Sequence, residues 1–159
     1  MDDQTRFWIA QQVADTKYTS NIQPLFRDAK QIAGKRPNTV ITDGAQNFAD
    51  AIKKEFFTIN NPRTRHIAHI RLQGDHNNNK MERLNGEVRD REKTMRGLKK
   101  ADTKILSGYQ IYHNYFRPHE ALKGKTPAEK CGIMIKGENK WKTVIENASR
   151  NVKSGYNKS

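Results

Sequence analysis

Asp43 and Glu82 are the two carboxylates of this 159-residue chain whose settings suit more than solvation. Asp43 ends the β-branched run Thr39–Thr42 and precedes Gly44 and a helical pattern. In open α/β sheets, functional groups gather at the carboxyl ends of strands. A carboxylate there suits a hard cation such as Mg²⁺, which prefers oxygen ligands. The same Asp43 would equally serve as a cap for a helix beginning near Ala45, with Gly44 making the turn.

Glu82 enters the helical pattern of "NNNKMERLNGEVRDREKTMRG". On a helical wheel its side carries Asn85, Gly86, Arg89, Lys93 and Arg96, about 100° from an apolar stripe of Met81, Leu84, Val88, Met95 and Leu98. One acid at the entrance followed by three cations fits a metal ligand beside a track for a phosphate backbone. Gly86 weakens such a helix by about 1 kcal/mol relative to Ala, a cost that close approach of a substrate would explain. The alternative is a solvated helix face on which Glu82 complements the helix dipole.

Other titratable groups give weaker signals. Glu87, Asp90 and Glu92 lie off the Glu82 line and suit i,i+3 and i,i+4 pairs with neighbouring Arg and Lys. His66, His69 and His76 do not form a zinc pattern: His66 and His69 would face opposite sides of a strand, and no cysteine is near. In "NYFRPHEALKGKTPAE", Arg117 and His119 are open to DNA contact, or belong to a connector packed by Tyr115 and Phe116.

These residues need elements to hold them. "TRFWIAQQVA" (5–14) alternates like a strand. "NIQPLFRDAKQIAG" reads as a helix with Pro24 in its first turn and Gly34 as its stop. Thr39–Thr42 is a short buried strand, and "AQNFADAIKKEF" an amphipathic helix with Phe48, Ala51, Ile52 and Phe56 on one side. "RHIAHIRL" is another strand, followed by a loop over 73–80. After the helix of 81–98, a second helix runs through Ile105, Leu106, Tyr109, Tyr112, Tyr115 and Phe116 and stops before Pro118. Thr126 caps a short helix with Pro127 at its first position. "NKWKTVIENASR" is a last helix, and the polar end "SRNVKSGYNKS" is expected to fray. The order β-α-β-α-β-α-α implies an α/β layer fold on a mixed or parallel sheet.

Thirty Lys and Arg against 17 Asp and Glu give a net charge of +13. A folded domain this basic meets a polyanion, nucleic acid before membrane. The single Cys131 excludes an internal disulfide and suits a reducing cytoplasm. No apolar run reaches the length of a membrane span.

Four stretches, in this order, resemble the catalytic core of DDE transposases of insertion sequences, relatives of retroviral integrases: "DDQTRFWIAQQVAD", "VITDGAQNFADAIKKEF", "HNNNKMERLNGEVRDREKTMRGLK" and "YHNYFRPHEALKGKTPAE". The resemblance covers 2–129. It implies a ribonuclease H-like mixed sheet flanked by helices, with Asp43 as the second metal-binding acid and Glu82 as the third, 38 residues intervening. It implies Mg²⁺ (or Mn²⁺) as cofactor, phosphoryl transfer on DNA ends through two metal ions, and DNA contacts from Arg89, Lys93, Arg96 and Arg117. It also implies partners: transposon ends and target DNA, with a homo-oligomer or a full-length transposase beside them, in the cytoplasm at the nucleoid.

The family's first acid lies on a strand that would precede this chain, and Asp2 and Asp3 match a turn instead. The expectation is therefore a core over 1–130 lacking its first two strands, with a basic, partly disordered helical tail over 131–159. Such a chain would be a transposase by lineage and inactive alone. The alternative is a non-catalytic basic DNA-binding module derived from a transposase.

Overall fold

Between Thr39 and Ala68 the chain makes a parallel β-α-β crossing. The computed structural model describes residues 1–16, 18–68, 79–95 and 104–156, with side chains described as far as 150. Strand β1 (Thr39–Thr42) pairs in parallel with β2 (Arg65–Ala68), Val40 opposite His66 and Ile41 opposite Ile67. Helix α2 (Gln46–Phe56) connects them, and α1 (Thr19–Ala33) packs on α2. The protein is therefore α/β, with a two-stranded parallel sheet among the described residues.

The α1–α2 contact is the apolar face read from the sequence. Ile22 of α1 and Ala51, Ile52 and Phe56 of α2 are buried, and Phe26 stands edge-on to Phe48 and Phe56 at 6.3 and 5.7 Å. Lys30 Nζ donates to Glu55 Oε1 at 3.3 Å along the same seam. Gly34, at φ 66°, stops α1 in a left-handed turn that glycine adopts without strain. The start of α1 differs from expectation. It begins at Thr19, so Pro24 lies beyond the first turn and has no N–H to offer the Ser20 carbonyl.

The second half is helical. Helix α3 (Asn79–Met95) lies with α4 (Lys104–Tyr115) around Trp8, Leu84, Leu106 and Tyr109. Met81 and Val88 of the predicted stripe join them, whereas Met95 is 55% exposed and Leu98 lies outside the described residues. After α4 come a single 3-10 turn (Glu120–Leu122), α5 (Pro127–Lys130) and α6 (Lys140–Tyr156). The Thr126 cap is present, and Glu129 reciprocates by accepting the Thr126 N–H. Trp141 of α6 stacks on Phe116, ring centroids 3.9 Å apart. With no proline to break it, α6 continues to Tyr156, into the segment expected to fray.

The largest departure is at 5–14, which forms no strand. Alternation suits a strand only if a neighbouring strand supplies the ladder. Here α4 supplies it with side chains. The Trp8 N–H donates to Asn114 Oδ1 at 2.8 Å, and Asn114 Nδ2 donates back to the Trp8 carbonyl at 2.9 Å. Gln110 Nε2 donates to the same carbonyl at 2.7 Å, and His113 Nε2 to the Arg6 carbonyl at 3.0 Å. Asn114 and Trp8 are both buried, so these main-chain groups have no recourse to bulk water.

Removing the Asn114 carboxamide leaves the buried Trp8 N–H unpaired and the Trp8 carbonyl with Gln110 alone. Asn114→Ala is expected to lower stability in urea unfolding by about 1–3 kcal/mol. Loss of the Thr126 cap in Thr126→Ala should cost about 1 kcal/mol. Equal losses in the two variants would mean that the clamp does not hold the segment.

Candidate functional site

Asp43 sits where the strand end puts it. It is exposed, and its Oδ1 accepts the Ala45 N–H at 3.2 Å. Ala45 is the N-cap of α2 and offers no side-chain bond, so Asp43 steadies the helix entry from two residues back. Gly44, at φ 90°, makes the intervening turn. Thr42 is buried behind it, its hydroxyl 2.8 Å from His66 Nε2 on β2 and accepting the Gly44 N–H at 3.3 Å. The strand end carrying Asp43 is thereby tied to the neighbouring strand. His69 and His76 lie outside the described residues.

Glu82 occupies the first turn of α3, exposed, and pairs with none of the described residues. Arg89 is exposed one face-length along. Lys93 is exposed and contacts Asp90 Oδ1 at 3.0 Å, the i,i+3 pair expected there. With both side chains about three-quarters exposed, that pair is screened and weak. Arg96 lies outside the described residues. A Cβ at Gly86 would meet nothing within 4 Å, so internal packing gives no reason for glycine there. Among the described residues, no three His, Cys, Asp or Glu side chains are grouped to hold a metal.

Glu87 does not pair along its own helix. Its carboxylate takes both prongs of Arg117, from the turn after α4: Nη1 on Oε2, and Nη2 on Oε1 at 3.1 Å. Tyr109 donates to Oε2 as well, at 2.9 Å. Burial alone would raise the Glu87 carboxyl, but the bonds from Arg117 and Tyr109 outweigh it and hold it below the ordinary carboxylate range. Arg117 is thus a fork clamped on a carboxylate, with its donors engaged inside the chain. Arg91 lies 4.5 Å over the Tyr109 ring, on the other side of the same contact.

A cleft of about 420 Å³ opens beside this clamp, between the turn at 2–7, the start of α3 and the turn after α4. Sequence periodicity did not reveal it, because its residues come from three separated segments. His113 and His119 face each other within it, ring centroids 4.8 Å apart. Burial pushes the His119 imidazole down to about 4, helped by the positive neighbours His113, Arg117 and Arg6. His113 is lowered too, by burial first, against the opposing pull of its bond to the Arg6 carbonyl.

These shifts set a pH window. Unfolded His119 titrates near 6.5 and folded His119 near about 4, so between those values the unfolded chain binds more protons. Stability should fall as pH drops from 6.5 towards 4, and His119→Gln should flatten that fall. Urea midpoints measured across the window check this; a variant as acid-sensitive as the parent would place the effect elsewhere.

A family model described as a DDE domain matches residues 1–119. The matched stretch contains Asp43, Glu82, Arg89, Lys93, Arg96 and Arg117. No curated protein and no solved structure matches the chain.

Proposed function

The chain belongs to the DDE transposases of insertion sequences, and on that premise we propose that it serves metal-dependent phosphoryl transfer on DNA ends, with Asp43 and Glu82 as two of the metal-holding acids. The observation that carries this reading is the setting of the two carboxylates. One stands at a strand end and one at a helix entrance, both exposed and neither ion-paired to a described residue. Exposed carboxylate oxygens are hard donors and fit Mg²⁺ or Mn²⁺. When bound, such ions activate the attacking oxygen and steady the leaving one. Asp43 is held in place by the Thr42–His66 tie, and Glu82 by the packing of Met81 and Leu84 beside it.

The β-α-β crossing is read as part of a ribonuclease H-like sheet within a core over 1–130. Residues 131–159 are read as a basic helical extension. The Phe116–Trp141 stack and the Lys140–Glu129 pair at 3.2 Å hold its start. No helix among the described residues is long and apolar enough to cross a membrane. DNA is the partner that the +13 charge favours, at the bacterial or archaeal nucleoid, with an oligomer or an intact transposase as the setting. Arg89, Lys93 and Arg96 are the proposed phosphate track. Arg117 contributes by holding α3 more than by touching DNA.

Asp43 and Glu82 are the two ligands this reading assigns, so any joining of DNA ends should need both of them and the metal. Purified protein is given Mg²⁺ or Mn²⁺ and labelled ends. Joining that disappears in Asp43→Asn and Glu82→Gln supports the reading, whereas joining that survives both substitutions overturns it.

The second reading is a DNA-binding module without catalysis, favoured by the exposed basic line of α3. It predicts that Glu82→Gln binds DNA as well as the parent or slightly better, because a negative charge leaves the DNA side. Gly86 offers a separate check. Gly86→Ala should stabilise the fold by about 0.5–1 kcal/mol, while weakening DNA binding if DNA lies against that face. Stabilisation with unchanged binding would move the DNA elsewhere.

A further inference from the structure

We propose that the cleft between the turn at 2–7, the start of α3 and the turn after α4 seats one phosphate group of a DNA strand, with Arg6 and Arg83 as its charge partners and His119 as a donor. The proposal rests on the DNA reading above and assigns to it a place away from the α3 phosphate track.

Four observations converge there. Four cationic groups line the cleft: Arg6, Lys80, Arg83 and Arg117. Two of them are already spent, Lys80 on Asp3 at 2.6 Å and Arg117 on Glu87. Arg6 and Arg83 have no carboxylate partner among the described residues. Of the acids lining the cleft, Glu87 is neutralised by Arg117, which leaves Glu120, exposed.

Arg6 is also held in the left-handed region, at φ 59°, where an arginine is strained and a glycine is not. The turn that holds it closes through the Asp2 N–H to the Phe7 carbonyl at 2.9 Å, and the Arg6 N–H to the Asp2 carbonyl at 3.0 Å. A cation kept at a position that favours glycine has a use for its side chain.

The imidazoles supply the observation that points to a ligand. His113 is 3% exposed, and its Nδ1 is buried with no hydrogen-bond partner among the described residues. His119 Nε2 is buried and unpartnered in the same way. Buried ring nitrogens without partners are uncommon in folded proteins. A metal is the other ligand that two facing imidazoles suggest. The two cations without a carboxylate partner, Arg6 and Arg83, oppose a metal ion, and no third ligand completes a cluster among the described residues. An anion meets the opposite field. His119 donates to it from Nε2. His113, whose Nε2 already donates to the Arg6 carbonyl, is drawn to take a proton on Nδ1.

The cleft volume of about 420 Å³ lies within the range of small-ligand sites, about 300–1,000 Å³. It has room for a phosphate with its sugar. The groups acting on the two rings are Arg6 from the turn at 2–7, Arg117 from the turn after α4, Glu87 from α3 and, for His113, the chain's amino group. All but Glu87 are positive, so an added negative charge raises both imidazoles. Proton uptake then accompanies binding, and affinity rises as pH falls towards about 4, where free His119 titrates.

The test pairs binding with a resonance of the rings themselves. A short labelled duplex is titrated against the parent, against Arg6→Gly with Arg83→Ala, and against Lys54→Ala on α2 as control. Arg6→Gly removes the cation and relieves its backbone, and a urea midpoint of the double variant like the parent's shows that folding is kept. The double variant should raise Kd about tenfold and lower the slope of log Kd against log salt by about one. In the parent, DNA should move the His113 and His119 imidazole nitrogen resonances and shift the His119 titration upward from about 4. Parent-like slope and still imidazoles, with DNA binding intact, would overturn the phosphate seat and leave the DNA reading standing. A parent that does not bind DNA at all would remove both. Imidazoles that answer inorganic phosphate but not DNA would assign the cleft to the free ion and overturn the DNA seat.

Discussion

The Asn114–Trp8 amide pair is the constraint on which the helical half depends. A strand normally satisfies an extended segment, because only another main chain presents donors and acceptors at the right repeat. Here one carboxamide reproduces a single rung of that ladder, accepting at 2.8 Å and donating at 2.9 Å to one residue. Gln110 and His113 extend the rung along α4 at the spacing a helix gives to one face. The segment is thereby fixed with Trp8 pointing into the apolar group of Leu84, Leu106 and Tyr109. Burial of that indole and satisfaction of its main chain are one event, since neither is favourable without the other.

Once α4 is fixed, the Glu87–Arg117 fork fixes α3 against it. The fork joins residues 30 apart in sequence and admits little freedom, because two parallel bonds set direction as well as distance. Glu82 precedes Glu87 on the same rigid helix, so the pose of the proposed metal ligand is inherited from an ion pair it does not touch. The same pairing engages one arginine of a strongly basic chain on a carboxylate of the chain itself. That guanidinium is neutralised where it stands, and its work is mechanical.

What the sequence made legible follows from the range of each signal. Local chemistry was readable: the β-branched run before Asp43, the Thr126 cap with Pro127, and the apolar face of Phe48, Ala51, Ile52 and Phe56 all act over a few residues. The helix carrying Glu82 was readable from its period, and Met81, Leu84 and Val88 are inside as that period requires. Failures came where a partner from far along the chain decided the outcome. The alternation at 5–14 was real, yet α4 rather than a strand received it. Arg117 looked free because Glu87 was matched to cations on its own helix. The cleft was invisible for the same reason, being assembled from the turn at 2–7, the first turns of α3 and the residues around His119.

The placement of Trp8 has an optical consequence. Its indole stands edge-on to His113, ring centroids 6.1 Å apart, in the interior of the protein. Trp141 is nearly half exposed and stacked on Phe116. The two tryptophans therefore emit from different surroundings, one shielded and blue, the other wet and red. An imidazolium quenches an adjacent indole far more than a neutral imidazole does, so the blue component dims when His113 takes up a proton. The protein carries its own indicator, beside a buried indole, for the charge state of the residue that joins α4 to the Arg6 carbonyl.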